Sequence, residues 1–65
     1  MKIRAIRVNM GLSRPDMAKM IGVSLDRYIR IETGRSKLLA EELKKIHSIS
    51  GVPMEDIDIH FFLEK

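Results

Sequence analysis

The side chains of this 65-residue chain best suited to chemistry are cations and hydroxyls able to hold an anion. Ser13 and Arg14 stand where a helix is expected to begin. Free N–H groups and the positive end of a helix dipole favour phosphate at such a place. Ser24, Arg27, Arg30 and Thr33 follow, and then Arg35 and Lys37 in a glycine-led loop. Met1 to Lys37 carries nine basic and three acidic residues, net +6, whereas Leu38 to Lys65 carries three basic and six acidic, net −3. The two sum to the chain's +3 and suggest one face made for a polyanion and one kept off it. Acid–base and metal chemistry have less support. His47 and His60 are thirteen residues apart, which is no ligand spacing, and no acid, base or metal ligand is spaced with Glu32. There are no cysteines, so disulfides and thiolate metal sites are excluded. The expectation is a protein that is no enzyme and uses no cofactor or metal.

The elements that must position these residues are short helices. Ile3, Ile6 and Met10 recur at helical spacing, which predicts a first helix over Lys2 to Met10, stopped by Gly11. Ser13 is the N-cap of the second, from Arg14 to about Met20. Pro15 in its first turn loses no hydrogen bond, and Asp16 complements the helix dipole. Gly22 is a left-handed cap candidate. Ser24 caps the third helix, which reads through Leu25, Tyr28, Ile31 and Glu32. A loop over Gly34 to Leu39 leads to a fourth helix from Ala40 to Ile49 with Leu43 and Ile46 inward and Gly51 as its stop. Pro53 to Asp56 reads as the start of a short fifth helix. His47 is expected beside Leu43 or in solvent.

The segment LSRPDMAKMIGVSLDRYIRIETG combines several requirements of two helices crossing steeply over a tight turn. Ala18 is small where the helices touch, Gly22 makes the turn, Val23 plugs the gap, and Met17, Ile21, Tyr28 and Ile31 face a common core. In this pattern the chain resembles the Xre type of Cro/repressor helix-turn-helix proteins of bacteria and their phages. The resemblance covers Ile3 to about Ile57 and is carried by Arg7, Leu12-Ser13, Met17-Ala18, Gly22-Val23-Ser24, Ile31-Glu32 and Gly34. Leu43, Ile46, Gly51, Val52 and Ile57 match its last two helices. It implies an all-α, compact five-helix, lambda-repressor-like domain that binds double-stranded DNA, usually as a homodimer on a two-fold operator. It also implies that Arg7 and Glu32, both on otherwise apolar faces, pair as a structural fork.

By the same resemblance Leu25, Asp26, Ile29 and Arg30 occupy the base-reading positions of the third helix. Arg30 is suited to guanine, Asp26 to cytosine N4, and Leu25 and Ile29 to thymine methyl groups. Ser13, Arg14, Ser24, Arg27, Thr33, Arg35 and Lys37 are the expected phosphate contacts. The third helix departs from the family's usual glutamine, serine, asparagine or arginine. Arg14 and Pro15 also replace the common glutamine and glutamate. Asp26 repels phosphate, and Leu25, Ile29, Met20 and Val8 read as exposed apolar residues. An apolar patch rimmed by charge points to a second role, a transcription modulator that binds a partner protein, such as a repressor, through this face.

A 65-residue chain forms one marginal domain, which makes self-association plausible. Residues 1–57 read as that domain. The apolar tail, 58–65, reads as core-capping or dimerising, since Ile57, Ile59 and Phe61 alternate as in a strand while Ile57 and Phe61 also suit a helix. No apolar run reaches the roughly 20 residues of a membrane span, and no secretory segment leads the chain. The expectation is a cytoplasmic, stand-alone regulator of phage, prophage or plasmid style, without membrane or small-molecule substrate.

Overall fold

A computed structural model describes residues 1–58. It contains α1 (Ile3–Asn9), α2 (Arg14–Ile21), α3 (Leu25–Glu32) and α4 (Ala40–Ser50). The fifth helix expected after Pro53 is a single 3₁₀ turn, Met54–Asp56, and no strand occurs among the described residues. The turn is short for a physical reason: Pro53 starts it, but Ile57 is extended, with ψ 118°, and is pulled into the core at 3% exposure. Ile59, His60 and Phe61, with the rest of the expected tail, lie outside the described residues.

Local chemistry sets the helix ends. Ser13 Oγ accepts the Asp16 N–H at 3.2 Å and Ser24 Oγ accepts the Arg27 N–H at 3.1 Å, so both serines serve as N-caps. Gly22 ends α2 at φ 77°, where a side chain would be strained, and its N–H returns to Ala18 and Lys19 carbonyls. Val23 N–H then bonds Ala18 O at 3.0 Å, which closes the turn into α3.

The core joins all four helices. Tyr28, Ile6, Met17 and Ile46 are fully buried, with Ala18, Ile21, Ile31, Leu38, Leu43 and Ile57 around them. Val23 is half-buried and packs on this cluster, as a plug between two crossing helices should. Leu38 anchors the loop between α3 and α4 from below. The two ends of the domain also meet: Asp58 N–H donates to Met1 O at 2.7 Å. Among the described residues no helix is long and apolar enough to cross a membrane.

Candidate nucleic-acid interface

The surface of interest is built from the start of α2, the outer side of α3 and the loop after it. Each helical residue turns about 100° from the last. On α3 that puts Asp26 and Arg30 opposite the buried Tyr28 and Ile31, and both are exposed. They form an i,i+4 ion pair on the outer face. Leu25 is exposed at 43%. Ile29, expected to stand out in solvent, is half-buried, because it lies on the flank of the buried stripe rather than opposite it. Met20 and Val8 are exposed as expected, at 44% and 56%.

The expected phosphate contacts divide into two groups. Ser13, Ser24, Arg35 and Lys37 are exposed, and the cap bonds of the two serines use only their oxygen as acceptor, leaving each hydroxyl hydrogen to donate. Lys37 nevertheless has a partner within the fold, and so do the side chains of Thr33, Arg27 and Arg14. Thr33 Oγ1 donates to Ile29 O at 2.7 Å and so closes the end of α3. Arg27, expected outward, is half-buried and turns to α4: its Nε and Nη2 donate to Glu42 Oε2 and Oε1 at 2.6 and 2.8 Å. Arg14 donates from Nε to Glu32 Oε2 at 2.7 Å, yet its side chain stays 44% exposed and open to a further partner.

Glu32 is the hub beneath this surface. Arg7 Nε donates to its Oε1 at 2.8 Å, and the Tyr28 hydroxyl to the same atom at 2.9 Å. Arg7 Nη1 also holds the Leu12 carbonyl at 2.8 Å, fixing the turn into α2. The Glu32 side chain is 2% exposed. Burial by itself would raise its pKa, but hydrogen bonds from Arg7, Tyr28 and Arg14 outweigh it and hold the carboxyl below the ordinary range. Burial, and then the bond to Glu32, push the Tyr28 hydroxyl well above its ordinary value. The bond to Glu32 keeps the Arg7 guanidinium more firmly protonated than usual. This is a structural cluster in which three donors of the fold, from Arg7, Arg14 and Tyr28, take up both oxygens of one carboxylate.

A second buried carboxylate, Glu42, was not anticipated. It sits at the third position of α4, and Oε1 accepts the Leu39 N–H at 2.8 Å, one half of a capping box. The spacing Leu39-to-Glu42 carried that signal, but leucine at the cap position masked it. The Arg27–Glu42 pair, fifteen residues apart, and the Arg14–Glu32 pair, eighteen apart, have no periodic signature. His47 is exposed and its Nδ1 lies 2.7 Å from Val52 O, a contact in which the ring nitrogen is the donor and the carbonyl the acceptor.

Set against known proteins, residues 3–57 match a helix-turn-helix family model. A segment of the glutamine–fructose-6-phosphate aminotransferase (isomerizing) of Methanocaldococcus jannaschii is 40% identical over 57 residues. That match covers 86% of this chain but 5% of that protein, so the chain spans about one-twentieth of the relative's length. No solved structure matches.

Proposed function

The chain belongs to the Xre-type helix-turn-helix family of DNA-binding domains, and from that premise we propose that it is a sequence-specific transcription regulator acting on duplex DNA. The observation that carries the reading is the outer face of α3, with Leu25, Asp26 and Arg30 exposed on a helix whose other side is locked by Tyr28 and Ile31. α3 enters the major groove, and Ser13, Arg14, Arg35 and Lys37 grip phosphates on either side of it. Arg30 donates to guanine O6 and N7 while Asp26, its ion-pair partner, accepts from cytosine N4. Leu25 packs on a thymine methyl group. Two copies bind half-sites about one helical turn apart and act by occupancy. The domain works in the cytoplasm, catalyses no reaction, and needs no cofactor.

The test is a selection from random duplex DNA with the purified protein. Enrichment of a palindrome is expected. A second reading, that this face binds a partner protein, draws on the exposed Leu25 and Met20 and on the mutual neutralisation of Asp26 and Arg30. It predicts no enriched sequence and a stoichiometric protein partner on pull-down.

A further inference from the structure

We propose that Arg27 and Glu42 form a clamp that presets the loop over residues 33–39 for DNA, so that Arg27 is a positioning residue rather than a phosphate contact. The inference rests on the reading that this loop grips the DNA backbone. Four hydrogen bonds converge on the pair. Arg27 reaches both oxygens of Glu42. Its Nη2 also donates to the Lys37 carbonyl at 3.2 Å, and Glu42 Oε1 accepts the Leu39 N–H. One fork thus ties the middle of the third helix, the second half of the loop and the first turn of α4 together. The first half of the loop is held separately, by Arg35 and Ser36 N–H groups on the Arg30 carbonyl at 2.7 and 3.2 Å. Beyond Ser36, the buried Leu38 and the clamp fix where Lys37 emerges.

Burial makes the clamp specific. The Glu42 side chain is 7% exposed, where a carboxylate is tolerated only if its donors stay in place. A planar guanidinium meets that need through two parallel bonds and keeps an N–H for the loop carbonyl. A lysine ammonium cannot make that fork. Glu42 is also negative, so simple charge arithmetic says that removing it should tighten DNA binding. The clamp predicts the opposite sign.

The experiment measures duplex-DNA affinity and its salt slope for the full chain and for Glu42→Gln and Arg27→Lys, with hydrogen exchange at the Leu39 amide and a thermal melt for each. Glu42→Gln sets an amide N–H₂ against the Arg27 fork. It should weaken binding about tenfold and make the slope shallower by about 0.9 for each phosphate no longer neutralised. Arg27→Lys keeps the charge and should weaken binding similarly. Both should speed Leu39 exchange in a protein that still melts cooperatively. Equal or tighter binding by a folded Glu42→Gln, or wild-type binding by Arg27→Lys, overturns the proposal. Should Glu42→Gln not fold, Arg27→Lys decides alone. Absence of DNA binding by the wild type is a different failure: it removes the underlying reading, and the clamp's role in DNA binding with it.

Discussion

Two carboxylates are buried on neighbouring helices among the described residues, and their surroundings are built differently. Glu32 lies inside the domain and gathers Arg7, Arg14 and Tyr28 from three helices. Glu42 lies at the rim, where one arginine and one backbone N–H satisfy it. The first fixes how α1 meets the helix-turn-helix. The second fixes how the helix-turn-helix passes into the loop that follows. The contrast shows that an arginine's charge says little about what the residue does. Arg7 and Arg27 are structural, Arg14 stands half in each role, and Arg35 points its charge at solvent.

The largest difference between the two sites should appear when Glu32 is removed. Glu32→Ala leaves two guanidinium groups and a hydroxyl without their acceptor, and losing one member of a buried pair costs about 3–5 kcal/mol. A domain of this size has a total stability of only about 3–10 kcal/mol. The variant should be largely unfolded in a denaturant titration; unchanged melting would refute the hub. Glu42→Ala removes charged hydrogen bonds nearer the surface and should cost less, about 1.5–3 kcal/mol by the same titration.

Tyr28→Phe deletes one bond to Glu32 and should cost about 0.5–1.5 kcal/mol. It also isolates one limb of the pH behaviour. Glu32 has a depressed pKa in the fold, so its stabilisation is present above the unfolded carboxyl value of 4.5 and is lost as pH falls below it. Tyr28 has a raised pKa, so its contribution is present below the unfolded value of 10.0 and is lost as pH rises past it. Melting curves across pH should show both limbs in the wild type, and Tyr28→Phe should lose the alkaline one. Arg14→Ala should be the mildest for stability, at about 0.2–1 kcal/mol, because this arginine is 44% exposed and Glu32 keeps its bonds from Arg7 and Tyr28. Its effect should appear instead as weaker DNA binding, read by anisotropy.

Much of this architecture is legible in the chain. Two serine caps, Pro15, Ala18, Gly22 and Val23 fix α2, the turn and α3 through local rules that need no tertiary information. The helix-period apolar residues Ile3, Ile6, Met17, Ile21, Tyr28, Ile31, Leu43 and Ile46 mark the core. The fifth element is harder, because the Pro53-to-Asp56 composition announces a helix start while burial of Ile57 ends it after one turn. The interface is half legible. Residue type and charge pick out the cations, but not which of them face inward. That depends on Glu32 and Glu42, whose partners come from distant positions in the chain. Ile29 is a different case: helical spacing sets it on the flank of the buried stripe, and there it is half-buried rather than exposed.

DNA binding through phosphate anchors flanking α3 is tested most directly by the salt dependence of duplex-DNA affinity, measured for the wild type beside Arg35→Ala. Log affinity should fall linearly with log salt, and the slope should be about 0.9 shallower once the Arg35 cation is gone. Binding that ignores salt, no binding at all, or an Arg35→Ala slope identical to wild type would contradict this mode of binding.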